Sequence, residues 1–383
     1  MKIALVHDDL IQYGGAEKLL LAMHEIWPNA PIYTSIYNRQ LEKIDKRFAK
    51  CEIRTSWMQR LPFKNSLRRV YFPLYPAALE SIDFSEFNVV LSSSTRFAHG
   101  VITKPQTLHV CYSNSPTRFL WETEKYLEYE SFGNPKKLIL LPILSFLRIW
   151  DQQSARRPDF WIANSKNVAE KLQKYHRVEA EVIYPFVDLG KFRIKNNKRL
   201  AISHEPYYLV VSRLVAWKRV DIAIEAANYL KFPLKIVGAG PAFPTLSRIA
   251  KSNIDFLGEV GEEELISLYQ NCRVLILPQG EDFGITAIEA QACGKPVIAL
   301  KSGGVLETVL PGKTGIFFEE QKAESLIQAI KKFGNLTIKP EDCRKNAQKF
   351  GKSNFQKSLR KFVNETWLRY ISPAGSSLTN RAS

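Results

Sequence analysis

Short apolar or β-branched runs recur along this chain, and between almost every two of them lies a stretch with helical periodicity. Runs at Ile3–Val6, Val89–Leu91, Thr107–Cys111, Phe160–Ala163 and Ala180–Ile183 read as strands. After the first of them, Gly14-Gly15 turns into a helix with Leu19, Leu20, Met23 and Ile26 at helical spacing. A second series begins with strand Tyr207–Val211, helix Val220–Leu230 and strand Leu234–Val237, which ends in Gly238-Ala239-Gly240-Pro241. Strands Ile254–Leu257, Val274–Leu277 and Pro296–Ala299 follow, each leading into helix-like sequence. Continuous apolar strands joined through helices predict an α/β fold, with mainly parallel sheets covered on both faces.

A chain of 383 residues exceeds what one core usually supports, so two domains are expected. Asp188–Pro206 is polar, basic and poor in apolar runs, which predicts a domain over 1–190, a linker over 191–206 and a second domain over 207–354. A terminal helix over 355–371 carries Leu359, Phe362, Val363 and Trp367, and the tail over 372–383 reads as disordered. The five cysteines are dispersed, without the paired spacing of a metal site, and suit reduced thiols in a cytoplasmic protein. His7, Asp8 and Asp9 interrupt any signal-peptide core. The longest apolar run, Leu138–Leu147, contains Pro142 and falls short of the roughly 20 residues a membrane span needs.

A net charge of +16 calls for an anionic partner. No basic recognition helix, zinc-finger spacing or basic-aromatic RNA motif points to nucleic acid. The absence of G-x-G-x-x-G and G-x-x-x-x-G-K-[ST] removes the main support for a dinucleotide oxidoreductase or a P-loop ATPase.

Open α/β sheets bind ligands at the carboxyl ends of their strands. There the second series places Pro278-Gln279-Gly280 and then Glu281-Asp282-Phe283-Gly284-Ile285-Thr286-Ala287-Ile288-Glu289. Two carboxylates beside the unpaired amides of a helix start suit a polyhydroxylated ligand with a phosphate leaving group. Taken alone, Glu281 is more often a plain helix cap. Strand Tyr207–Val211 ends at Ser212-Arg213, and Trp217-Lys218-Arg219 precedes the next helix, which makes a diphosphate clamp or, in isolation, a solvated face. Gly14-Gly15 allows close backbone approach to a phosphate.

Gly-Gly-Ala-Glu near the N-terminus, Ser-Arg-x-x-x-x-Lys over 212–218 and Glu-x7-Glu within EDFGITAIEAQACGKPVIA together resemble the retaining glycosyltransferases of family 4, over essentially residues 1–370. The resemblance implies the GT-B fold, two Rossmann-like domains facing each other across a cleft, with the terminal helix crossing back to the first. It implies that Arg213 and Lys218 neutralise a donor diphosphate faced by the amides of Gly14 and Gly15, and that Glu281 contacts the donor sugar. The amides of Phe283, Gly284 and Ile285 would bind sugar hydroxyls, Glu289 the ribose, and Val260 and Glu262 would lie near the base. Such enzymes usually work without a divalent metal, so neither metal nor cofactor is expected. Asp8-Asp9 read as organisers of a turn or wall.

The stretch from His109 to Trp121 resembles the mannosyltransferase-like branch, where Cys-His-Thr-Pro is common; here Ser113-Asn114-Ser115-Pro116 puts Asn114 in the histidine's place. Asn114 can hydrogen-bond a sugar hydroxyl but takes no proton near neutrality, and His109 substitutes for the missing imidazole only if it faces the cleft. The donor implied is GDP-mannose, with a UDP-sugar as the alternative, and the acceptor a glycan or a polyprenyl-diphosphate-linked glycan. A related epimerase or phosphorylase and a non-catalytic carbohydrate-binding protein are the competing classes. Basic and aromatic residues interleave over 57–79, including Arg68 and Arg69, and Lys136-Lys137 precede the apolar run ending at Trp150. This pattern suits either a solvated basic face or a peripheral position on the inner, anionic face of the cell membrane.

Overall fold

The computed structural model describes residues 1–64, 67, 70–123, 134–194 and 206–372. Residues 195–205 of the expected linker, residues 373–383 of the expected tail, and Arg68 and Arg69 lie outside the described residues. The described chain divides into two compact units, one of residues 1–123, 134–184 and 353–372, the other of 185–352. The passage at 184/185 comes before the boundary expected at 190, because Val187 already pairs with the second unit, its amide donating to the Phe350 carbonyl at 2.9 Å and its backbone bridging Gly351.

The first unit is built on β1 (Ile3–His7), β2 (Ile32–Thr34), β3 (Ile53–Thr55), β4 (Val89–Ser94), β5 (Leu108–Ser113), β6 (Phe160–Ala163) and β7 (Ala180–Val182). They form one parallel sheet in the order β3-β2-β1-β4-β5-β6-β7. The second unit holds β8 (Tyr208–Val211), β9 (Leu234–Val237), β10 (Ile254–Gly258), β11 (Val274–Leu277), β12 (Val297–Leu300) and β13 (Gly315–Phe318), parallel in the order β10-β9-β8-β11-β12-β13. Every residue of β1, β4, β5, β11 and β12 is buried, which is why these strands read as unbroken apolar or small-residue runs. By contrast, β3 is a three-residue edge strand with Arg54 and Thr55 exposed, so it carries little apolar signal.

In each unit the chain first builds outward on one side and then returns to build on the other. The reversals fall between β1 and β4 and between β8 and β11, and at such a switch point the connections diverge and leave a crevice beyond the strand ends. Helix Val220–Leu230 covers the second sheet through Ile222, Ala223, Ala226 and Ala227, which join Val210, Ile236, Ile276 and Phe333 in one core. The C-terminal helix Lys352–Ile371 belongs to the first unit: Phe355 packs edge-on against Tyr112, and the Tyr370 hydroxyl donates to the carbonyl of Pro105 at 2.7 Å.

Candidate functional site

The switch point of the second unit brings the ends of β8 and β11 side by side. From β8 the chain passes Arg213, which is exposed, to a short turn over Ala216–Lys218. Lys218 is buried, with its ammonium 4.3 Å from the centre of the Trp217 ring. The Lys218 Nζ donates to Glu281 Oε1 at 2.5 Å, and Gln279 Nε2 donates to the same oxygen at 2.5 Å. Arg219 then adopts a left-handed backbone with φ of 48°, a conformation that costs a side-chain-bearing residue about 1 kcal/mol, and opens helix Val220–Leu230 while its guanidinium pairs with Asp221 at 2.9 Å. A strained residue therefore fixes where Lys218 ends and the helix begins.

Glu281 is held by its backbone as well. Its carbonyl accepts from the amide of Gly304 at 2.7 Å, and residues 281 and 303 form a parallel bridge. A Cβ on Gly303 would stand 2.2 Å from the Glu281 carbonyl oxygen and one on Gly304 2.2 Å from that of Asp282, so only glycine allows this approach. Gly284, at φ of 88°, is the N-cap of helix Ile285–Ala292 and offers no side chain to its first-turn amides, Ile285 included, which follow the end of β11. Phe283 is buried edge-on against Phe350 and anchors the turn. Farther along, Glu289 is buried and its Oε2 accepts from the Tyr269 hydroxyl at 2.9 Å.

Lys218, Glu281 and the Phe283–Ile285 turn are thus assembled at one strand-end surface, with Arg213 at its exposed margin. Val260 and Glu262 follow β10, three strand positions from β11 or about 14 Å across the sheet. The Glu262 carboxylate is exposed and paired with Lys191.

In the first unit, the Gly14 amide donates to Glu17 Oε2 at 2.8 Å, so one of the two glycine amides expected to face a phosphate is committed to the helix's own first turn. Glu17 is buried, with its other oxygen 3.9 Å from His7 Nε2. Burial alone would lower the His7 imidazole, but the hydrogen bond and charge of Glu17, with Asp8 and Asp9, raise its pKa above the ordinary value. Asn114 lies just past β5, its Nδ2 donating to Ser93 Oγ at 3.0 Å and its carbonyl accepting from Asn164 at 2.6 Å. His109 does not replace the missing histidine. It is fully buried within β5, bonded through Nε2 to Ser92 at 2.8 Å, and burial pushes its pKa down to about 3.

Asp8 and Asp9 act as organisers. The Asp8 carboxylate accepts from the amides of Thr95, Arg96, Phe97 and Ala98 and from the Thr95 hydroxyl, all within 3.0 Å. Burial opposes its ionisation, yet Arg96, His7 and these donors hold it below the usual carboxylate range. Asp9 accepts from Arg96 at 2.7 Å and from the Tyr75 hydroxyl at 2.9 Å. A further buried carboxylate, Asp151, gathers the Thr117 hydroxyl, the Trp121 indole and His176, each at 2.7 Å. It thereby pins the segment that follows Asn114 to helix Asn134–Ser154. Nothing local in the sequence marks this hub, because its members are far apart in the chain.

The buried histidines make stability sensitive to acid. Burial lowers His99 to about 4 despite Asp151, and His109 to about 3. Both stay neutral in the folded state while the unfolded chain binds protons below about 6.5, so stability falls as pH drops from about 6.5 toward 4, by up to about 2.7 kcal/mol per pH unit when both contribute. The His7 pKa is raised, so its contribution is complete below about 6.5 and adds no loss in that window. Denaturation midpoints measured between pH 7 and pH 4.5 should show this slope and a shallower one in His109→Gln; a flat profile would contradict it.

Residues 192–350 match the family model described as Glycosyl transferases group 1. An uncharacterized glycosyltransferase of Methanocaldococcus jannaschii is 30% identical over 212 residues, 54% of this chain and 57% of that protein. The GDP-mannose-dependent alpha-(1-6)-phosphatidylinositol monomannoside mannosyltransferase of Mycolicibacterium smegmatis is 32% identical over 184 residues, 42% of this chain and 47% of that one. The matches thus span about half the length of these curated relatives. Among solved structures, Anabaena HepE in complex with UDP and glucose superimposes with a TM-score of 0.73 at 18% identity, covering 95% of this chain and 99% of that one. Sucrose-phosphate synthase from Thermosynechococcus elongatus gives 0.72 at 16% identity, covering 96% and 100%. The fold is the two-domain α/β fold of the GT-B glycosyltransferases.

Proposed function

We propose that this chain, whose second unit carries the group 1 glycosyltransferase match, is a retaining transferase that moves a hexose, mannose from GDP-mannose, onto a glycan or polyprenyl-diphosphate-linked acceptor. The observation that carries this reading is the Lys218–Glu281 pair at the β8/β11 switch point, beside the start of a helix whose N-cap, Gly284, has no side chain. A nucleoside diphosphate sugar matches those groups: cations for the diphosphate, a carboxylate and amides for the sugar hydroxyls, and Glu289 for the ribose. The mannosyl donor is favoured by the GDP-mannose-dependent relative. A UDP-sugar is the second reading, supported by the neighbour bound to UDP and glucose.

In the step proposed, the bond from C1 to the diphosphate oxygen breaks while the acceptor hydroxyl oxygen bonds C1 from the same face. The hydroxyl proton passes to an oxygen of the departing phosphate. Arg213 and Lys218 meet the charge that develops on the leaving group, so no metal is assigned to the reaction. Glu281 steadies the electron-poor C1 without forming a covalent bond to it. With the Gly14 amide bound to Glu17, the Gly15 amide is the one assigned to the diphosphate, and Asn114 is assigned to a sugar hydroxyl. A panel of GDP- and UDP-sugars tests the reading through protection against thermal unfolding, since a ligand of the folded state raises stability by mass action. GDP-mannose should give the largest shift. No protection by any nucleotide sugar would overturn the proposal, and a larger shift with a UDP-sugar would move the donor to the second reading.

A further inference from the structure

From Leu140 onward, helix Asn134–Ser154 carries large apolar side chains on its outward as well as its inward face. Inward, Leu144, Leu147, Asp151 and Ser154 are buried at the helical spacing a packed face requires. Outward, Leu141, Ile143, Phe146 and Ile149 are exposed, the last two at 63% each. A helix that only covers a core keeps its other face polar. The segment 57–79 shows the same habit, with Phe63 exposed at 77% and Val70 at 68%. Its buried residues Met58 and Tyr75 join Leu144 and Leu147 in one core cluster, so the two exposed faces border the same part of the first unit.

Charge separates the candidate occupants of this surface. Residues 57–79 and 134–150 together contain seven lysines and arginines and not one aspartate or glutamate. A second copy docked through the same surface would set like charges against each other. A lipid bilayer with anionic headgroups attracts the basic groups and receives the apolar ones. No helix among the described residues is long and apolar enough to cross a membrane, which leaves lying on the surface as the mode available to this helix. We propose that the outward face of helix Asn134–Ser154, with the basic-aromatic segment 57–79 beside it, seats the first unit on an anionic bilayer. Leu141, Phe146 and Ile149 enter the headgroup boundary, and Arg60 and Lys64 meet lipid phosphates.

The inference deepens the acceptor part of the proposed function, because an enzyme seated in this way meets a lipid-held acceptor at the membrane. Its test needs neither donor nor acceptor, so the two readings fail separately. The full chain is sedimented with phosphatidylcholine vesicles with and without phosphatidylglycerol. Binding should require phosphatidylglycerol and weaken as salt is raised. Phe146→Ser and Ile149→Ser should each lower the partition coefficient about tenfold, and these exposed positions should leave the circular dichroism unchanged. Arg60→Glu with Lys64→Glu, which spares the helix, should weaken binding independently. Equal sedimentation of wild type and Phe146→Ser with Ile149→Ser would overturn the proposal. So would a lipid-free dimer, seen by sedimentation velocity, that those substitutions dissolve.

Discussion

Lys218→Ala should lower kcat/KM for glycosyl transfer by on the order of a hundredfold. Two losses combine in that variant. The departing diphosphate loses a charge-assisted partner where its negative charge develops, an interaction whose removal in comparable sites costs about 10²- to 10³-fold in rate. Glu281, whose Oε1 accepts from Lys218 and Gln279 at 2.5 Å each, also loses its cation and the orientation that the ammonium enforces. Arg213 is exposed, so water screens its charge, and Arg213→Ala should cost about tenfold. Lys218→Arg should recover little, because a planar guanidinium does not fit the point contact that a buried ammonium makes beside Trp217. Initial rates with purified variants check the series, and near-wild-type turnover in Lys218→Ala would remove the clamp from the account.

The placement of the proposed donor site in the second unit was legible because it is local. Val274–Leu277 is a buried parallel strand and reads as an unbroken apolar run, so the residues after it had to lie at a strand end. Glu281 and Glu289 stand on the turn and helix that follow. The meeting of Lys218 with Glu281 was less visible, since it depends on β8 lying next to β11, a pairing set by sheet order. Gly303 and Gly304 gave no signal at all. Their role is to let one backbone approach another, and it becomes apparent only when a Cβ built there meets the carbonyls of Glu281 and Asp282.

In the first unit the turn-organising reading of Asp8-Asp9 agrees with the structure, although the hydrogen-bond donors to Asp8 come from residues 95–98. His109 could not be placed from its neighbours, because a strand residue within a fully buried sheet has core on either side. The Asp151 hub was missed because Thr117, Trp121 and His176 are ordinary residues until folding gathers them around one carboxylate. Strands β2, β3 and β13 escaped notice; β2 and β3 have three residues each, and β3 exposes Arg54 and Thr55.

Glu281→Gln should lower kcat at least about a hundredfold while leaving donor binding within a few fold. Glutamine keeps the size of the side chain and an oxygen for Lys218, and removes only the negative charge. If that charge steadies C1 as the phosphate leaves, its loss is felt in the transition state and hardly in the ground state. Glu289→Gln should do the opposite, weakening donor affinity about tenfold with kcat little changed. Its buried carboxylate, oriented by the Tyr269 hydroxyl at 2.9 Å, is assigned to the nucleotide end. The most direct test is single-turnover release of nucleoside diphosphate by Glu281→Gln at saturating donor, with donor affinity titrated on the same sample. Slow release from a fully occupied site is the result expected; release at the wild-type rate, with only affinity lost, would contradict the assignment of the reacting centre to Glu281.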